Sequence, residues 1–425
     1  MKVGIIIGRI GDVDGVALET EKWIKILHQM GHEVFILSGR FRKSIVTPDH
    51  KMLIPSLSFF SPNCEWEQNR TFFFPQDEPS ELLLHLKLAS DDLAIQMFKW
   101  VMKNHIDVII SENASALPAH LSMGMAIKKL VEHTGIKMIC HDHDFHWERG
   151  TRYSTPFEEV QEIITETFPI QIKHVRHAVI NTYSKDYLKK EFNIESLFVP
   201  NVMDFDLSYG EKDDYNDDLP ENLGLKKDDI LLFQITRIVK RKGIETAIEL
   251  IKKLDDKRIK LVITGSAADD DRKGYYKELI AMIDEQKLNE RIIFASHRIL
   301  NDRGKNLQGE KVYSLSDAYA HATACTYFST YEGFGNAFVE AALAKTPVFV
   351  NNYKPVFWQD IGSKGFEIVM IEDGKLTDKA VAEIDQIIHD KKLQKEIGEN
   401  NYNLGKMHFS YNALRAKLET LFYHI

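Results

Sequence analysis

LLFQITRIVKRKGIETAIELIKKL, Leu231 to Leu254, begins as a buried apolar strand, turns through a basic loop and continues as an amphipathic helix. Strand, loop and helix in that order are the unit of a parallel α/β sheet, whose ligands bind beyond the carboxyl ends of the strands. Arg237, Lys240, Arg241 and Lys242 crowd that end here. Guanidinium and ammonium groups pair well with phosphate oxygens. A solvated basic turn would carry the same residues, so this stretch speaks for the fold before it speaks for a ligand.

A second stretch, YEGFGNAFVEAALAKTPVFVNN from Tyr331 to Asn352, narrows the chemistry. Phe334-Gly335-Asn336-Ala337 forms a flexible turn leading into a helical run from Ala337 to Ala344, whose first N–H groups are available to anionic oxygens. Glu332 precedes the turn and Glu340 follows it inside the helix, and carboxylates accept hydrogen bonds from sugar hydroxyls. A nucleotide sugar has a diphosphate between two hydroxyl-rich rings, which matches this order of donors and acceptors. The plain alternative is an ordinary loop–helix junction with a surface glutamate.

Together the two stretches resemble the donor half of the family-4 retaining glycosyltransferases, and the likeness covers most of the chain. That family's signature is an E-x7-E pair, here Glu332 and Glu340, preceded by an R-x4-K pair, here Arg237 and Lys242. The resemblance implies an α/β chain of the GT-B class: two facing Rossmann-like domains with a C-terminal crossover helix. It implies that Arg237 and Lys242 bind the diphosphate, that Glu332 contacts the donor sugar and that Glu340 binds the ribose hydroxyls. Gly265, Gly333, Phe334, Gly335 and Asn336 would complete the donor contacts. The family usually has Gly before the arginine, whereas this chain has Thr236.

Composition agrees with a globular enzyme. A length of 425 residues suits two or three domains, and 44% hydrophobic residues suffice for large cores. A net charge of −9 without a basic stripe argues against a nucleic-acid binder. Cys64, Cys140 and Cys325 are scattered and odd in number, and read as reduced, mostly buried thiols. The start, MKVGIIIGRIGDVDG, reads as a first strand and not a signal peptide. No run approaches the ~20 apolar residues that span a bilayer. The expectation is a cytoplasmic protein, with peripheral membrane contact left open and its oligomeric state undetermined.

Along the amino half, Val3–Ile7 reads as a strand, Ala17–Met30 as a helix stopped by Gly31, and Glu33–Leu37 as the next strand. The loop with Gly8, Gly11 and Gly15 does not fit G-x-G-x-x-G, and Ser38-Gly39-Arg40 lacks a ribose-binding acid, so an NAD site is not indicated. In the resembling family this loop faces the acceptor and the donor phosphates, which would give Gly11 to the acceptor and Gly15 to the donor; turn glycines are the alternative. Further strands are expected at 107–110, 137–140, 178–181 and 196–199. The phrase VPNVMDFD resembles the family's hinge, and the acidic, turn-rich segment from Asp206 to Asp229 marks the domain junction. The expected domains are 1–205 for acceptor binding, 206–410 for the nucleotide-sugar donor, and 411–425 as a helix packing back on the first. Donor-domain strands are expected at 260–264 and 292–294.

CHDHDFHWERGTRY, Cys140 to Tyr153, follows an apolar strand and is dense in imidazole and carboxylate. Metal binding by His141, Asp142, His143, Asp144 and His146 is one reading. Asp142-His143-Asp144 also mimics the D-x-D metal motif of the other large glycosyltransferase fold, but there the nucleotide site lies in the amino half, whereas here its features are carboxyl-terminal. The resemblance offers another reading, because the family places a histidine at the end of this strand near the donor sugar, and His141 fits it. Trp147, Glu148, Arg149 and Arg152 would then line the acceptor, with an aromatic face for a sugar and guanidinium forks for a carboxylate or phosphate. The bland alternative pairs Arg149 and Arg152 with Glu158 and Glu159.

The function so implied is a retaining hexosyltransferase in which His141, Arg237, Lys242 and Glu332 carry the reaction, with no essential metal and no cofactor beyond the nucleotide sugar. The strings from Tyr313 to Tyr353 and from His141 to Tyr153 are similar to bacterial enzymes that glycosylate small acceptors, including makers of mannosyl-glucosyl-glycerate and sucrose-phosphate-like glucosides. GDP-mannose and UDP-glucose are the leading donors, and the acceptor is a small molecule or saccharide of anionic character. A GT-B nucleotide-sugar epimerase and a non-catalytic nucleotide-sugar-binding protein are the rival readings.

Overall fold

A computed structural model describes residues 1–11, 14–42, 50–266, 274–423 and 425. The chain divides into two compact units, one of residues 1–202 with 411–425 and one of residues 203–410.

The first unit is built on seven strands: β1 (Lys2–Ile7), β2 (Glu33–Ser38), β3 (Lys51–Leu53), β4 (Val108–Glu112), β5 (Lys137–Asp142), β6 (Val175–Val179) and β7 (Ser196–Phe198). They pair in parallel in the order β3-β2-β1-β4-β5-β6-β7, the doubly wound order of a Rossmann-like sheet. β1 is apolar and buried from Val3 to Ile7, as a parallel strand covered on both faces must be. The helix Gly15–Gln29 starts where Asp14 accepts the Ala17 N–H at 3.1 Å. It packs Trp23, Ile24 and Leu27 into one cluster with Val3, Ile5 and Ile7. The helix Tyr411–Tyr423 adds Leu414, Leu418 and Leu421, residues on one helical face, to that cluster. Arg176 Nη1 donates to the Leu421 carbonyl at 2.9 Å.

The second unit repeats the plan with β8 (Ile230–Gln234), β9 (Ile259–Ile263), β10 (Ile292–Phe294), a ribbon of β11 (Gly304–Lys305) and β12 (Lys311–Val312), then β13 (Ala324–Tyr327), β14 (Val348–Asn351) and β15 (Val369–Ile371). Its main sheet is parallel, in the order β10-β9-β8-β13-β14-β15. The helix Ile244–Lys253 buries Ile244, Ala247, Ile248, Leu250 and Ile251 against it.

The acidic stretch 206–229, read as marking the domain junction, lies at the start of this unit. Arg303 binds both Asp213 (2.7 Å) and Asp317, Lys311 pairs with Asp218 at 2.8 Å, and Asn216 donates to Asp317 at 2.9 Å. Its acidity is matched by basic groups distant in sequence, although most of the stretch stays exposed. The three cysteines are free and buried. No helix of the described residues is long and apolar enough to cross a membrane.

Candidate functional site

Beyond β8 the chain passes Thr236 and Arg237 and makes one tight turn, Lys240–Lys242, stopped by Gly243 in a left-handed conformation. That turn directs Lys242 inward, where the buried ammonium pairs with Glu332 Oε1. Arg241 Nη1 donates to the other oxygen at 2.7 Å and to the Tyr331 carbonyl at 2.9 Å. Burial pushes the Glu332 carboxyl up, but the Lys242 and Arg241 charges outweigh it and hold the group below the usual carboxylate range. Burial also draws the Lys242 ammonium down, against the pull of Glu332. Two cations on one carboxylate leave an excess positive charge at the carboxyl end of the sheet, where Arg237 is exposed. An anion such as a diphosphate is complementary to that arrangement.

Two glycines shape the same region. A Cβ on Gly265, just past β9, would stand 1.9 Å from the Thr236 carbonyl oxygen and 2.6 Å from Arg237 Cα, so this glycine lets the two strand ends meet. Gly335 has φ +147°, and a Cβ there would stand 2.2 Å from the Tyr353 hydroxyl, which donates to the Phe334 carbonyl at 2.7 Å. The helix Asn336–Leu343 that follows has no side-chain cap at its start. Phe334 is buried against Phe409, while Gly333 and Asn336 are partly exposed. Glu340 lies just over one turn into the helix and accepts the Tyr319 hydroxyl at 3.3 Å.

The first unit gathers a different set of groups. β5 continues through Asp142, two residues further than expected, so His141 lies inside the strand and His143 immediately beyond its end. His141 is fully buried, stacked on Trp23 at 3.9 Å, with Nδ1 2.9 Å from Glu112 Oε2. The Cα atoms of Glu112 and His141 are direct partners across β4 and β5. Burial pushes the Glu112 carboxyl up, but His141 and His143 more than reverse this and bring it to about 2. An ionised carboxylate only accepts, so His141 Nδ1 is the donor in this contact. Glu112 Oε2 is also 3.8 Å from His143 Nε2. Asn113, at φ +53°, accepts the backbone N–H groups of His143 at 3.0 Å and Asp144 at 3.4 Å.

These positions correct one expectation. The strand-end place given to His141 is occupied by His143, because β5 runs on through Asp142 and His141 has no exposed surface. The residues named in the alternative metal reading fall into separate groups, because alternation along β5 sends neighbouring side chains to opposite faces. Glu112, His141 and His143 cluster together, and Cys140, Asp142 and His177 form a second group in which His177 Nδ1 meets Asp142 at 2.9 Å. Asp144 pairs with Arg149 at 2.6 Å, and His146 packs edge-on against Trp147.

The expected acceptor wall is reduced as well. Phe145 and Tyr187 each stack on Trp147 at 4.5 Å, which makes that ring a packing element and not an open platform for a sugar. Glu148 turns inward and accepts the Phe145 N–H at 2.7 Å and the Ser184 hydroxyl at 3.2 Å. Arg149 and Arg152 are exposed, Arg152 lying over the rings of Phe73 and Tyr153. Gly11 has φ +82° beside residues outside the described set, and a Cβ on Gly15 would meet nothing within 4 Å. The sequence reading placed Arg241 among the strand-end cations but missed its pairing with Glu332, and it missed Glu112 and Asn113 altogether. The available signal was a carboxylate closing the apolar strand VIISE.

Two parallel Rossmann-like sheets, the second with a cation cluster at its strand ends, are the sheet plan of the GT-B glycosyltransferases. A family model described as "Glycosyl transferases group 1" matches residues 216–404. The mannosylglucosylglycerate synthase of Petrotoga mobilis is 31% identical over 98% of this chain and 100% of that protein. The enzyme of the same name from Thermotoga maritima is 32% identical, over 97% and 98%. The crystal structure of a glycosyltransferase from Rickettsia africae matches the fold with a TM-score of 0.68 at 15% identity, covering 100% of this chain and 98% of that one. The chain belongs to the group 1 glycosyl transferases.

Proposed function

We propose that this glycosyltransferase moves a hexose, with retention of anomeric configuration, from GDP-mannose or UDP-glucose to a hydroxyl of a small anionic acceptor. The names of the two relatives favour mannose as the sugar and a glucosylglycerate as the acceptor. The observation that carries the reading is the buried Glu332 carboxylate gripped by Lys242 and Arg241 at the end of the donor-side sheet.

In the reaction the bond from the anomeric carbon to the diphosphate oxygen breaks as the acceptor oxygen bonds on the same face. Arg237, Lys242 and the first amides of the helix Asn336–Leu343 stabilise the charge gathering on the departing diphosphate. A leaving phosphate oxygen takes the acceptor's proton, Glu332 orients a donor hydroxyl and Glu340 the ribose. Arg152 is the cation offered to an anionic acceptor. No metal is required in this scheme.

The test incubates the protein with each donor, alone and with glucosylglycerate, with and without EDTA, and reads products by NMR. Nucleoside diphosphate release that needs the acceptor, survives EDTA and yields the donor's anomeric configuration is expected. An epimerised donor without acceptor would identify an epimerase, and binding without turnover a silent nucleotide-sugar binder. EDTA inactivation restored by a divalent ion would overturn metal independence.

A further inference from the structure

We propose that Glu112 is a positioning residue for sugar transfer: it fixes the Nε2–H tautomer of His143, so that His143 presents its Nδ1 lone pair to a hydroxyl of the sugar bound beyond β5. This rests on the hexosyltransferase reading. Glu112 sits at the last position of β4, opposite His141 in register. Its Oε2 accepts the Nδ1–H of His141 at 2.9 Å and lies 3.8 Å from His143 Nε2. The two imidazoles are 4.3 Å apart at 50°, and Trp23 stacks on His141 from its side. One carboxylate therefore faces both rings, while the neighbouring Asn113 holds the His143 backbone by its N–H.

The energetics point the same way. Glu112 is fully buried, and neither its Oε1 nor His143 Nε2 has a hydrogen-bond partner among the described residues. A buried anion with an oxygen unpaired is a costly way to stabilise a strand end, where apolar residues would serve as well. Such a group is understood when its charge acts on something, and the only rings it faces among the described residues are His141 and His143. At 3.8 Å the carboxylate acts through its charge and not through a hydrogen bond; that charge favours the proton on His143 Nε2, and Nδ1 is then the acceptor at the end of the strand, where ligands of such sheets bind.

Nitrogen NMR of ¹⁵N-histidine-labelled protein reads the tautomer directly, and His143 should be the Nε2–H form. In Glu112→Gln that preference should be lost, with kcat down at least about tenfold and donor affinity by calorimetry nearly unchanged. In a His143→Ala background, Glu112→Gln should change kcat no further. His143 found as Nδ1–H or doubly protonated in the wild type, or equal losses in both backgrounds, would overturn the proposal. Should Glu112→Gln fail to fold, the wild-type tautomer still decides. A wild type silent with every donor and acceptor sinks the transferase reading by itself, and the NMR result then still shows whether Glu112 sets His143.

Discussion

Lys242 and Glu148 are both charged residues drawn inward, and they predict opposite behaviour. Lys242→Met strips one of the two cations from a buried carboxylate, and breaking such a pair costs about 3–5 kcal/mol. Donor turnover should fall with it. Adding Glu332→Gln removes the stranded anion, so stability measured by urea unfolding should largely return while activity stays lost. Recovery of both would separate the cluster from function. Glu148 has its carboxyl pushed up to about 7, chiefly by burial. A raised carboxyl contributes stability that is complete below the unfolded value of about 4.3 and lost as pH rises through 7, amounting to up to about 4 kcal/mol. Wild type should therefore weaken between pH 4.5 and 8 relative to Glu148→Gln. Parallel pH profiles from chemical unfolding would contradict this.

At the scale of elements, the strand ends decide how the chemistry is presented. Gly265 is the contact between the ends of β8 and β9, so Gly265→Ala must displace the backbone that carries Arg237. A loss of roughly 1–3 kcal/mol in stability is expected, with nucleoside diphosphate affinity falling further than stability explains. Gly15→Ala, with open space around it, should leave stability equal or slightly higher. Calorimetry of both variants checks the contrast, and equal effects would remove the case for Gly265. The same scale shows where sequence reading stops. Arg237, Lys242 and Glu332 were legible as charges at a strand end and before a glycine turn. Which of His141 and His143 ends β5 was not, because the strand continues through two polar residues whose burial comes from Glu112 and His177, 29 and 35 positions away. Trp147 looked like a sugar platform because nothing local announces that Tyr187 will stack on it.

For the whole molecule, the two-sheet plan was legible because each unit alternates apolar strands with helices of clear period, down to the last helix, expected within 411–425 and observed over Tyr411–Tyr423. The ion pairs that hold the acidic stretch were not legible, because its partners Arg303 and Lys311 lie some ninety residues downstream. The last helix brings Leu414, Leu418 and Leu421 into the first unit. Burying three such side chains is worth roughly 5–9 kcal/mol, comparable with the entire stability of many domains. A chain stopped after Ser410 should therefore lose the first unit's unfolding transition and keep that of the second; a calorimetric trace with both intact would refute this.

The same arrangement sets a timetable for the ribosome. The first 202 residues emerge early, yet the segment that seals their core is made only after roughly 200 more. At about 5–20 residues per second this is a wait of roughly 10–40 s. Through that interval the apolar surface around Trp23 and Leu27 stands open on a nascent chain, and it is there that a chaperone would find this protein.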